Sequence, residues 1–383
     1  MKKFLAMILA LVMSLSLVAC GGSKEEAKPA EQPAEQPAEE QGADFSVAMI
    51  TDYGDITDQS FNQTTYEACK AYCDANGVDF SYYKPAGDST AERVAMVEAA
   101  VDDGYTVVVM PGYAFGETIT QVADEYSDIT FIALDVGEGD LGDYTLPSNV
   151  YCAVYQEELC GYMAGYAAVK LGYTHLGFLG GMAVPAVVRY GYGYVQGADA
   201  AAAETGADVT VEYVYGNQFW GDADITAYMD NWYQTLGVEV VFACGGGIYA
   251  SAAEAAAKVG GKVIGVDVDQ AAIIDGGYGD GMTVTSAMKG LAPTVEHMLT
   301  EVAAGNFANY GGKIETLGLV SGDDPAANYV QIPMESTQWS DSFSQDDYKA
   351  LVKDMFDGKI TVSNDISAMP ATSIAVNEYG NIK

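Results

Sequence analysis

Short apolar runs alternate along this chain with longer stretches whose apolar positions recur at helical spacing. FSVAMIT reads as a strand, and SFNQTTYEACKAYCDANG as a helix that Gly77 ends. DFSYY, STAERVAMVEAAVDDG, YTVVVM, GETITQVADEYSD and ITFIALD continue as strand, helix, strand, helix and strand. Runs such as VVVM and FIAL are short and interrupted, which suits parallel strands covered on both faces and not membrane spans.

NVYCAVY continues toward a hinge, after which the rhythm restarts. QEELCGYMAGYAAVKLG predicts a helix, HLGFLGG a strand, VVRYGYGYVQGADAAAAETG a helix and DVTVEYVY a strand. DADITAYMDNWYQTLG, VEVVFACGG, YASAAEAAAKVG and KVIGVDVD repeat the alternation, followed by the strand GMTVTSAMK, the helix GLAPTVEHMLTEVAAG and a strand near KIETLGLV. The fold class is α/β, with two doubly wound parallel sheets in one chain. Beyond residue 321 the chain turns polar, with a helix at SQDDYKALVKDMFDG and a strand expected at KITVSND.

The N-terminus stands outside this alternation. Two lysines, an apolar core and the junction VAC-GG make residues 1–19 a signal peptide. LSLVAC-GG also resembles the lipobox of bacterial lipoproteins, which implies that Cys20 bears lipid. Residues 20–43 repeat AEQP without a large apolar side chain, so burial cannot offset the entropy of ordering them, and a flexible tether is expected.

Composition narrows the function. With 17 Lys+Arg against 54 Asp+Glu and a formal charge of -37, the chain repels phosphate backbones and no nucleic acid is expected as a partner. Apart from Cys20, Cys69, Cys73, Cys152, Cys160 and Cys244 are odd in number and cannot all pair internally. Cys69 and Cys73 fit the apolar stripe of a helix with no histidine near, so buried thiols and no metal are expected. His175 opens a strand and reads as a structural or surface residue.

In parallel sheets, ligands lie beyond the carboxyl ends of strands. Asp52, Asp135, Phe219, Trp220, Asp267 and Lys289 all fall there. Gly180, Gly181, Gly245, Gly246 and Gly247 allow close backbone approach, but none completes G-x-G-x-x-G with a following acid, and no cofactor is expected. TDYGDITD lacks the glycine and final glutamate of a calcium loop.

TDYGDITDQSFNQ, AVYQEELCGYMAGYAA, GFLGGMAVPAVVRYGYGYVQGA and VIGVDVDQ, in this order over residues 46 to about 320, resemble the basic membrane protein family of bacterial substrate-binding lipoproteins. Characterised members of that family include purine nucleoside receptors of ABC transporters. The resemblance implies a type I periplasmic-binding-protein fold of two lobes joined by crossing strands. Residues 44–152 and 287–320 would form lobe 1, and 153–286 and 321–383 lobe 2. It also implies a monomeric body displayed, lipid-anchored, on the outer face of the cytoplasmic membrane, with permease subunits as partners.

Position by position, the resemblance implies that Asp52, Phe61, Asn62 and Asp135 meet a nucleobase. Asp267 and Lys289 would address the sugar hydroxyls. Phe219 or Trp220 would supply the opposing ring, and Gly246 with its neighbours would leave room for the sugar. The chemistry is coherent: rings stack on a flat base, while carboxylates accept from its donors and from a vicinal diol. No enzyme is expected, since TDYGDITD runs into SFNQ and a helix and not into the aspartate cluster of a nucleoside hydrolase. Two alternatives remain open: a ligand-sensing lipoprotein of the same fold without a transport role, and a nucleoside-processing enzyme.

Overall fold

The computed structural model describes residues 45–382. The expected signal peptide, Cys20 and tether lie outside them. The first half alternates β1 (Val47–Ile50), α1 (Phe61–Asn76), β2 (Phe80–Tyr83), α2 (Thr90–Asp102), β3 (Val107–Pro111), α3 (Gly116–Val122), β4 (Thr130–Leu134), α4 (Glu138–Leu141) and β5 (Val150–Tyr155). Every residue of β1 and β3 is buried, as strands covered by helices on both faces must be. The expected third helix ends early, at Val122, and turns carry the chain on to β4.

The chain continues with α5 (Glu157–Lys170), β6 (His175–Gly180), α6 (Pro185–Thr205), β7 (Thr210–Tyr215), α7 (Ala223–Asn231), β8 (Val240–Cys244), α8 (Tyr249–Ala257) and β9 (Lys262–Asp267). Then come α9 (Ala271–Tyr278), β10 (Thr283–Lys289), α10 (Leu291–Ala303), β11 (Lys313–Leu317), β12 (Val330–Gln331), α11 (Gln345–Phe356) and β13 (Ala375–Asn381).

The strands form two sheets, ordered β11-β5-β4-β3-β1-β2 and β12-β10-β9-β8-β6-β7-β13. All pairings are parallel except that of β10 with β12. The chain passes between sheets after β5, after β10 and after β11. Two of these passages fall slightly later than the sequence suggested. Ala153–Tyr155 stay in the first sheet through their register with Glu315–Leu317, and Ala287–Lys289 stay in the second beside β9 and β12. A strand ends where its last ladder partner does, which apolar pattern alone does not mark. The architecture is a type I binding-protein fold of two α/β lobes.

Behind the crossing, α5 and α6 pack with their backbones in contact. A Cβ at Gly161 or Gly165 would overlap the carbonyl of Tyr190 or Tyr194, and one at Gly193 or Gly197 that of Glu158 or Tyr162. Four glycines thus interlock the pair. All five described cysteines are free and buried.

The C-terminal segment departs from expectation. Lys359–Asp365 forms no strand, and Ser363 instead exchanges hydrogen bonds with the side chain of Gln196 on α6. The added strand is β13, which pairs in parallel with β7 and covers that edge. Glu212 on β7 secures it by accepting from Tyr379 Oη at 2.7 Å and from Asn377 Nδ2 at 3.2 Å, and lies 2.9 Å from His175 Nε2.

Candidate functional site

A cavity of about 920 Å³ lies between the carboxyl ends of the two sheets. Every residue singled out from the sequence, Asp52, Phe61, Asn62, Asp135, Phe219, Trp220, Gly246, Asp267 and Lys289, lines it.

The loop after β1 folds on its own polar groups. Asp52 Oδ1 accepts from the amides of Tyr53 at 2.6 Å and Gly54 at 2.7 Å and from Asn62 Nδ2 at 3.1 Å. Asn62 Nδ2 also reaches Asp58 Oδ2 at 3.1 Å, and Asp58 accepts from the amides of Ser60, Asn62 and Gln63. The amide of Asn62 is therefore committed to shaping the loop. Asp52 Oδ2, which none of these bonds engages, lies beside Gly112 at the cavity wall. Burial raises the pKa of Asp52 against the opposing pull of these donors.

Asp135 follows β4 and Asp267 ends β9, one in each sheet, and both adopt a left-handed backbone, with φ of 59° and 64°. This conformation is disfavoured for side-chain-bearing residues, though least so for Asp and Asn. Its recurrence at two strand ends aims both carboxylates at the same cation. Lys289 Nζ lies 2.5 Å from Asp135 Oδ2, 3.5 Å from Glu157 Oε1 and 3.7 Å from Asp267 Oδ1. Burial opposes the ammonium charge, but Asp135, Asp267 and Glu157 outweigh it and raise the Lys289 pKa. Asp135 rises to about 6 because burial and its neighbouring acids outweigh Lys289. Its second oxygen, Oδ1, is buried and has no hydrogen-bond partner among the described residues.

Rings frame this network. Lys289 Nζ sits 4.8 Å from the centre of the Phe61 ring. Phe219 rests on Gly181 and Gly245, where a Cβ would collide with its ring, whereas Trp220 is 54% exposed. Gly246 turns with φ of 51° beside the Phe219 carbonyl, leaving no room for a side chain.

Five participants went unnoticed in the sequence. Glu157, at the start of α5, bridges Lys289 to Arg189, whose Nε donates to Glu157 Oε2 at 2.7 Å. Ser60 Oγ donates to Asp267 Oδ2 at 2.6 Å, and Tyr190 Oη lies 3.4 Å from Asp267 Oδ1. Gln270 Nε2 also donates to the Gln59 carbonyl at 3.1 Å, so the loop of the first lobe is fastened to the second at two adjacent residues, Gln59 and Ser60. This is a closed arrangement. Among the described residues no group of His, Cys, Asp and Glu is arranged to hold a metal ion, and Lys289 occupies the centre of the acids instead.

Known proteins resemble this chain in sequence and in fold. The Bmp family, described as ABC transporter substrate-binding protein PnrA-like, matches residues 45–353. A CD4+ T-cell-stimulating antigen of Listeria innocua is 28% identical over 333 residues, covering 82% of this chain and 87% of the relative. The ABC transporter nucleoside-binding protein BmpA of Lactococcus lactis is 26% identical over 336 residues, covering 83% and 89%. An ABC transporter solute-binding protein of Conexibacter woesei shares the fold with a TM-score of 0.63 at 22% identity, over 84% of this chain and 99% of its own. The chain belongs to the Bmp family of ABC-transporter substrate-binding proteins, which capture a small molecule outside the cytoplasm for permease partners and are not enzymes.

Proposed function

We propose that the captured molecule is a purine nucleoside. The observation that carries this reading is the buried, unpartnered Oδ1 of Asp135. A buried acceptor without a donor costs stability, so a ligand that supplies an N–H or O–H there gains affinity. Asp52 Oδ2 offers a second acceptor at the cavity wall. The flat, donor-bearing edge of a base between rings meets these demands, and the name of the Lactococcus relative supports it.

In this reading Phe61 stacks on one face of the base and Phe219 on the other. Phe219 is preferred to Trp220 because Gly181 and Gly245 already support its ring from behind, so little freedom is lost on stacking. Asn62 acts by holding Asp52. Asp267 accepts from the sugar diol beside Lys289, whose charge limits the cost of burying the carboxylates. Lipid on Cys20 and the tether of residues 20–43 keep the two lobes at the outer face of the membrane.

Calorimetry of the ligand-stripped protein against nucleosides, free bases, nucleotides, sugars and amino acids tests the assignment. Nucleosides should bind tightly, and nucleotides poorly, because their phosphates would enter a cavity rich in carboxylates. Tight binding of sugars or amino acids without nucleosides would overturn it.

A further inference from the structure

At about 920 Å³ the cavity lies near the top of the range for small-molecule sites, roughly 300–1,000 Å³. A nucleoside is a small ligand, and the surplus space has a definite place. Of the groups assigned to base and sugar, Asp52 follows β1 and Asp135 follows β4 in the first sheet, while Asp267 and Lys289 end β9 and β10 in the second. The cavity continues past Asp135 toward the next strands of the first sheet, where Val154 of β5 and Ile314 and Thr316 of β11 line it. Val184, just before α6, and Ile366 line it from the second lobe. Arg189 joins the two compartments, being linked to Lys289 through Glu157.

Ile366 belongs to the segment that follows the family match, which ends at residue 353. Two clamps on α6 place it. Ser363 exchanges bonds of 2.9 and 3.0 Å with Gln196, and the amides of Ser373 and Ile374 reach Asp199 Oδ1 at 2.8 and 3.2 Å. The intervening loop carries Ile366 to the cavity and leaves this large apolar side chain 37% exposed.

We infer that this second compartment takes an uncharged, apolar-bodied arm on the sugar of a nucleoside, and that Ile366 sets specificity for it. The inference rests on the nucleoside reading above. The arm leaves from the sugar because the proposed sugar contact, Lys289, is the group connected to Arg189. Val154, Ile314, Val184 and Ile366 give it aliphatic walls, Arg189 Nε is engaged by Glu157, and the carboxylates of Glu138 and Asp140 line the same cavity, so an anionic arm is disfavoured there.

Calorimetry on the ligand-stripped full chain, comparing adenosine with its 5′-deoxy-5′-methylthio and 5′-butylthio derivatives, tests this. The derivatives should bind at least as tightly as adenosine, with a gain of up to about fourfold per buried methylene. Ile366→Asp should weaken the butylthio compound by about tenfold and Ile366→Ala by about threefold, with adenosine unchanged in both. Rejection of the derivatives by tenfold or more, or equal losses for adenosine and derivative in both variants, would overturn the second compartment and leave the nucleoside reading standing. Failure of adenosine and every other nucleoside to bind would overturn both.

Discussion

Ser60 Oγ donates to Asp267 Oδ2 at 2.6 Å, joining the start of α1 in the first lobe to the end of β9 in the second. Ser60 stands in the capping position of α1, yet its hydroxyl bonds Asp267 and not a helix amide. The bond exists only when the lobes meet. Ser60→Ala should therefore shift the population toward the open form and weaken ligand binding about tenfold, as expected for a hydrogen bond to a charged group worth roughly 1.5 kcal/mol. Small-angle scattering of the ligand-free variant should show a larger radius than that of the parent. An unchanged radius with unchanged affinity would remove Ser60 from closure.

Binding should weaken in mild acid. Burial raises Asp135 from 3.8 to about 6, and the proposed ligand donor needs its ionised form. Above pH 6 the acceptor is present. As pH falls through about 6, protonation competes with the ligand, so affinity should drop up to about tenfold per pH unit below that point. Calorimetry near pH 6 in buffers of different ionisation enthalpy should detect proton release on binding, and its absence would separate Asp135 from the ligand.

Glu158 has the opposite interest, for stability. Burial raises it from 4.5 to about 7, and its Oε2 has no partner among the described residues. A raised folded-state pKa stabilises the fold below pH 4.5, and this contribution is lost as pH rises through 7. Glu158→Gln mimics the protonated form and should raise stability at pH 8 by up to about 3 kcal/mol while converging with the parent near pH 4.5. Denaturant melts at both pH values check this. Parallel pH profiles for the two proteins would refute it.

Cys20→Ser should release the protein from the membrane or leave its leader uncleaved. Mass spectrometry of the mature N-terminus is decisive: a lipid-modified Cys20 is expected, and an unmodified terminus at another residue would exclude the anchor.

The alternating apolar runs revealed both lobes because strands covered on two faces contain little else. Asp52, Asp135, Asp267 and Lys289 were legible because polar residues at the ends of such runs stand out. Glu157 did not, since an acid in the first turn of a helix is ordinarily explained by the helix dipole. Arg189, a single basic residue within the helix VVRYGYGYVQG, carries no mark in the sequence of what it would meet. Only the approach of α5 to α6 shows that the two are partners. At the C-terminus, KITVSND has the better strand composition, but AVNEYGN has the vacant edge of β7 beside it. Propensity yields there to the neighbour available for pairing.

The glycine interlock of α5 and α6 lets positions remote from the ligand govern it. Glu157 and Arg189 ride on these two helices, so the 2.7 Å between their side chains is inherited from how closely the backbones approach. A methyl group at Gly165 or Gly197 would wedge the helices apart and loosen the acid that steadies Lys289. A mutational scan scored by ligand uptake would therefore trace two footprints, one around the cavity and one along a buried helix seam, and the second would record mechanical tolerance, not recognition.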